Sequence, residues 1–220
     1  AAATASREWE QRRVEALYCM AQEQPRIVVA APEALVQRTL PKEVLMNHVL
    51  RLHLSDTVDL NALGERLVHL GYTRCQQVEG MGQFALRGGI LDVFGPGMEA
   101  PVRVEFFGDE VDAMGAFDLA SQRRVHNMEQ ICLLPAGEVL PAMTPGGSTA
   151  LAEKLEAMAG KLSNKKRSGS DELIGRLKAD AELLRQNALR GGLDRYMAAI
   201  YEERAIPLEY LASDAMVCIC

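Results

Sequence analysis

The chain has 220 residues, 48% hydrophobic and 25% charged, a balance that argues against extensive disorder and allows one or two compact domains. Its formal charge of −6 provides no global field for a phosphate backbone, and an aromatic content of 5% offers few rings for base stacking. Five cysteines (Cys19, Cys75, Cys132, Cys218 and Cys220) with no C-x-x-C speak against a disulfide framework or a zinc site and suit a reducing cytoplasm.

The mass is 24.1 kDa and the isoelectric point about 5.3. No apolar run approaches the ~20 residues of a membrane span, and no signal-peptide pattern is present. The chain opens Ala1-Ala-Ala-Thr-Ala-Ser6 without an initiator methionine and stops within the apolar run Ala215-Met-Val-Cys-Ile-Cys220, so both ends read as cuts.

Along the chain, Ser6 is the expected N-cap of a first helix with Trp9, Val14, Leu17, Tyr18 and Ala21 at mostly helical spacing up to Pro25. Arg26-Ile-Val-Val-Ala-Ala31 has the pattern of a strand buried on both faces, followed by a helix start at Pro32. From Val49 the period changes to a half-buried strand with Leu50, Leu52 and Leu54 alternating against Val49, Arg51 and His53. Asp56 or Asp59 then caps a helix carrying Leu60, Leu63, Leu67 and Leu70, closed by Gly71.

Alternating runs follow at 72–78, 83–87, 89–94, 102–107, 110–117 and 130–134, broken by Gly88-Gly89, Gly95-Pro96-Gly97 and Gly108-Asp109. These predict a small antiparallel sheet with one helix packed on it. Residues 135–147 read as a Pro/Gly-rich linker. Helices are expected over 151–160 and, capped by Ser170, through Leu173, Ile174, Leu177, Ala181, Leu184 and Ala188 to Gly191-Gly192; the basic loop 161–170 between them reads as solvated.

The chemistry of an enzyme is missing. The one Gly-Lys pair, Gly160-Lys161, has Leu155 in place of the first P-loop glycine and Leu162 in place of Ser/Thr. The G-x-G-x-x-A matches at Gly80 and Gly95 are followed by strand-like runs, whereas a dinucleotide site needs a helix N-terminus at the pyrophosphate. No H-E-x-x-H and no G-x-S-x-G occurs. Glu105, Asp109, Glu110 and Asp112 read as a solvated hairpin. No catalytic residue, cofactor site or metal site is therefore predicted.

The informative stretch is 84–107. Strand alternation puts Phe84 and Leu86 on one face and Ala85 and Arg87 on the other; Val102, Val104 and Phe106 oppose Arg103, Glu105 and Phe107. An aromatic on a polar face beside arginines either tucks under a neighbouring segment or anchors a partner protein, since Arg and aromatics dominate interface hot spots. Arginine would offer a planar fork to a partner carboxylate.

Gly82-Gln-Phe-Ala-Leu-Arg-Gly-Gly-Ile-Leu-Asp-Val-Phe94, the run Pro101 to Asp112 and Phe117-Asp-Leu-Ala-Ser-Gln-Arg123 resemble the UvrB-homologous N-terminal region of the bacterial transcription-repair coupling factors (Mfd). Leu70-Gly-Tyr-Thr-Arg74, Leu133-Leu-Pro-Ala136, Gly192-Leu-Asp-Arg-Tyr196 and Leu208-Glu-Tyr-Leu211 agree with that family. UvrB itself differs, with R-G-D where this chain has Arg87-Gly88-Gly89 and an I-Y-G-L-G stretch that is absent here.

The resemblance implies a fold of mixed class, α/β and α+β: a truncated, degenerate helicase-like α/β domain (1–48 and 137–220) with an inserted UvrA-binding α+β module (49–136). Asp214–Cys220 would rejoin the sheet begun by Arg26–Ala31. It also implies that Arg87, Arg103 and Phe107 bind UvrA, on a face masked in the resting parent protein by its C-terminal domain. An ATP- and Mg-dependent motor, with RNA polymerase and duplex DNA as partners, would lie beyond Cys220. The competing readings are a UvrB-like, ATP-dependent damage-recognition subunit and a plain DNA-binding domain.

Overall fold

The computed structural model describes residues 2–22, 27–164, 170–186 and 192–218. Helix α1 (Ala2–Ala21) starts before Ser6, which therefore lies inside the helix rather than capping it. Residues 27–31 form no ladder; Ile27 and Val29 are almost fully exposed. An apolar run becomes a strand only where another strand satisfies its N–H and C=O groups, and no described strand lies beside this one. Arg26 falls outside the described residues. Helices α2 (Pro32–Val36) and α3 (Lys42–Asn47) each begin at or just after a proline, whose missing N–H costs nothing in a first turn.

Strand β1 (Leu50–His53) alternates buried leucines with exposed Arg51 and His53. Asp59, rather than Asp56, caps helix α4 (Leu60–His69): its Oδ1 accepts from the Ala62 N–H at 2.9 Å. Asp59→Ala leaves that donor unpaired, and urea denaturation should show a loss of about 1 kcal/mol. The sheet strands follow as β2 (Thr73–Arg74), β3 (Gln83–Arg87), β4 (Ile90–Phe94), β5 (Val102–Phe107), β6 (Glu110–Phe117), β7 (Arg124–Asn127) and β8 (Gln130–Leu133).

Two sheets form where one was expected. Strands β2 to β7 make a six-stranded sheet in sequence order, and β1 pairs with β8 in a separate antiparallel ribbon. The larger sheet is mixed, because β2 runs parallel to β3. The expected strand 72–78 shrinks to two residues, with Tyr72 buried just ahead of it and its phenol donating to the Leu134 carbonyl at 2.7 Å. Strand β7, with all four residues exposed, carries no alternation by which a sequence could reveal it.

One face of the six-stranded sheet holds the core. Leu63, Leu67 and Leu70 at the α4 end, Leu50 and Leu52 of β1, and Ile131 and Leu133 of β8 pack with Phe84, Leu91, Val93, Val104 and Met114 of the sheet. A Cβ at Gly64 would come within 2.8 Å of Leu86 Cδ1, which shows how closely α4 lies on β3.

The expected linker is not loose at its start. The Ala136 N–H bonds to the Leu70 carbonyl, Gln11 donates to the Ala136 carbonyl, and Glu138 takes Thr39 Oγ1 on one oxygen and Arg13 Nε on the other at 2.8 Å. Burial pushes the Glu138 carboxyl above its ordinary range, against the opposing pull of these two donors. Residues 205–218 return to the same compact unit, where Tyr210 donates to the Leu40 carbonyl at 2.8 Å. Residues 214–218 form no strand, and residues 219–220 lie outside the described ones.

Residues 139–204 cluster as a second unit. Helix α5 (Gly147–Asn164) is longer at both ends than expected and buries Leu151, Ala152, Leu155 and Ala159. It packs on α6 (Asp171–Arg185), which buries Leu177, Ala181 and Leu184. Ser170 stands at the N-cap position but its side chain makes no cap hydrogen bond. Asp180, nearly buried, is held by Arg195 at 2.9 Å and by the Tyr196 hydroxyl, so the Gly192–Tyr196 motif acts as a staple ahead of α7 (Met197–Ile200). Lys165, Lys166, Arg167, Ala188 and Gly191 lie outside the described residues. Among the described residues no helix is long and apolar enough to cross a membrane.

Candidate partner-binding face

The face of the sheet turned away from α4 is built in rows. Register aligns Ala85, Asp92, Arg103 and Gly115 across β3 to β6; the next row holds Arg87, Ile90, Glu105 and Ala113; Phe107 and Glu110 form the last. Two residues of a strand advance ~6.7 Å, so Arg103 and Phe107 stand about 13 Å apart along β5.

The hairpins that frame these rows depend on glycine. Gly88 and Gly108 take φ of +59° and +62° at the first turn position while the next residue keeps an ordinary φ, the φ pattern of type II′ turns. Gly89 cannot carry a side chain without a shift, because a Cβ there would lie 2.9 Å from the Phe106 carbonyl oxygen.

The structure brings Arg87 and Arg103 together through a residue that sequence reading missed. Asp92 is 1% exposed and accepts from both. Arg103 Nε reaches Oδ1 at 2.6 Å and its Nη2 reaches Oδ2 at 2.8 Å, while Arg87 Nη2 reaches Oδ2 at 2.7 Å. A carboxylate in the middle of the apolar run Ile90-Leu-Asp-Val-Phe94, on the same alternation as Ala85 and Arg87, was the available signal.

Arg103 is further fixed by Gln122, whose Oε1 accepts from Nη2 at 3.2 Å, and by the Phe117 ring 4.7 Å below its guanidinium carbon. The hydrogen bonds it donates to Asp92 hold the Arg103 guanidinium above its ordinary range, against its partial burial. Gln122 is itself placed by a tight loop. Its N–H bonds to the Asp118 carbonyl, and Asp118 Oδ1 accepts from the N–H and hydroxyl of Ser121 at 2.8 and 2.7 Å. These bonds depress the Asp118 carboxyl, the Ser121 N–H first. The Phe117–Arg123 motif is thus a clamp on Arg103.

Phe107 is 82% exposed at the end of β5, and its neighbour Phe106 packs on the core cluster, so the ring projects from the outer face rather than tucking under another segment. Its hairpin is strapped from behind: the Ser55 N–H bonds to the Val111 carbonyl, the Val111 N–H to the Asp56 carbonyl, and the Val58 N–H to the Asp109 carbonyl. Ile90, also partly exposed, lies directly opposite Arg87, in the row between those of Arg103 and Phe107. Glu105 does not gather with the other acidic residues of the hairpin; Arg124 from β7 bridges it.

The arrangement is one ring, one apolar neighbour and a fixed pair of guanidiniums on an outward sheet face, which is the make-up of a protein-binding surface. Residues 50–138, the stretch that carries it, match the family model described as the UvrB interaction domain. Over its length the chain is similar to transcription-repair-coupling factors. It is 29% identical to that of Bacillus subtilis over 218 residues, 98% of this chain and 18% of the relative. Shorter stretches are 41% identical to that of Myxococcus xanthus (113 residues, 51% of this chain and 9% of the relative) and 36% identical to that of Escherichia coli (126 residues, 57% and 11%). The chain around residues 50–138 resembles the N-terminal region of transcription-repair-coupling factors and spans less than a fifth of the length of these relatives.

Proposed function

We propose that this chain is a non-enzymatic recruitment module that binds UvrA through Arg87, Arg103 and Phe107, with residues 49–136 as the binding module. The observation that carries this reading is the exposed Phe107 ring on the arginine-bearing face of a UvrB interaction domain. In the parent protein the module would deliver UvrA to an RNA polymerase stalled at damaged DNA, within transcription-coupled nucleotide excision repair in the cytoplasm. Catalysis would belong to an ATP-driven DNA translocase motor elsewhere in that protein. This segment would need no cofactor of its own, and its UvrA face would be masked by the C-terminal domain until the motor engages.

The test is a pair of titrations on the purified chain. UvrA is expected to bind with a measurable heat and ATP with Mg is not. Nucleotide binding without UvrA binding would instead support an ATP-dependent damage-recognition subunit of the UvrB kind.

A further inference from the structure

Resting on the recruiting role proposed above, we infer that Asp92 is a positioning residue for partner binding, and that the unequal way it holds the two arginines assigns a partner carboxylate to Arg87. One buried carboxylate faces two guanidiniums, so the cluster carries one positive charge that nothing in it neutralises. The two cations are not equivalent. Arg103 has spent Nε and Nη2 on Asp92 and Gln122, rests on Phe117 and is only 24% exposed, which leaves Nη1 as its outward donor. Arg87 commits a single Nη2 contact and is 52% exposed, so the second Nη2 hydrogen remains to complete a parallel pair with Nε or with Nη1.

Arginine binds carboxylate best with two parallel N–H donors. Only Arg87 retains such a set, and Arg103 serves as the rigid member that holds Asp92, and through it Arg87, in place. The expectation of a planar fork offered to a partner is thereby divided: the fork is that of Arg87, while the fork of Arg103 is taken up within the chain. The partner group is an acidic side chain of UvrA, set beside an apolar contact to Phe107 and Ile90.

The experiment is a double-mutant cycle read by titration with UvrA. Asp92→Ala is expected to weaken binding about tenfold in the unsubstituted chain, and less than about twofold when Arg87 and Arg103 are already alanine. Equal effects in both backgrounds, or no effect in the first, would overturn the positioning role. Asp92→Asn keeps the volume and one acceptor oxygen and serves if the alanine variant fails to fold; a smaller loss of the same kind is expected.

A second readout does not involve UvrA. The Nε–H of Arg103 should give a slowly exchanging NMR signal that disappears in Asp92→Ala and survives Phe107→Ala; persistence in Asp92→Ala would refute the clamp. Salt should weaken UvrA binding, and Arg87→Gln should flatten that dependence. An unchanged slope would remove the carboxylate from Arg87. If the unsubstituted chain does not bind UvrA, the recruiting role falls along with this inference. If it binds and the Asp92 variants bind equally well, only the inference falls.

Discussion

Phe107→Ala is expected to lower the affinity of the chain for UvrA roughly thirtyfold, a loss of about 2 kcal/mol, and to leave the melting temperature within about a degree. The two halves of this expectation come from the same fact. A ring that is 82% exposed contributes almost nothing to the core, so its removal costs the free chain little. Buried under a partner, the same ring becomes one of the few residues able to carry a large share of the binding energy. A substantial fall in melting temperature would mean that the ring is packed in solution; an unchanged affinity would mean that UvrA, if it binds, does so elsewhere. The position is a cleaner probe than Arg103, where glutamate would stand against Asp92 and disturb the fold and the face together.

Leu67→Ala should have the opposite profile. Leu67 is fully buried near the C-terminal end of α4, among side chains contributed by the β1–β8 ribbon and by the inner face of the larger sheet. Truncation removes the transfer energy of the side chain and opens a cavity between three elements that cannot close on it independently, so about 3 kcal/mol of stability is lost. The urea midpoint should fall accordingly, while folded molecules keep Arg87, Arg103 and Phe107 in place and bind UvrA as before. A loss below about 1 kcal/mol would show that α4 can settle into the space, contrary to the close approach of Gly64 to Leu86.

The contrast between these two positions indicates what the sequence makes legible. Strands β3, β5 and β6 lie on the residues expected from alternation, and the breaks after β3 and β5 each carry a glycine suited to the turn. The same alternation set Arg87, Arg103 and Phe107 apart from the core side chains. Strand β7 left no trace because an exposed edge places no constraint on hydrophobicity.

The apolar run 27–31 misled for the converse reason: composition gives a segment the capacity to be a strand, but pairing depends on what the rest of the fold places next to it. Prolines and glycines in 135–147 suggested slack, yet hydrogen bonds from α1 and from Leu70, residues remote in sequence, fix its first part. Asp92 was hidden at the pairwise level. Its meaning appears only when register sets it opposite Arg103 and diagonal to Arg87, and register is a property of three strands rather than one.

The strap of residues 55–58 behind the β5–β6 hairpin has a consequence for the thermodynamics of association. Loop-borne anchors must surrender backbone freedom when they dock, and that entropic penalty offsets much of what the contact gains. Here the main chain under Phe107 is already immobilised by a two-residue turn and three backbone hydrogen bonds to residues 55–58. Docking would have only the two side-chain torsions of the ring left to freeze, at a cost on the order of 1 kcal/mol. Complex formation at this tip should therefore proceed with little rearrangement of the module, nearer to lock-and-key than to folding upon binding.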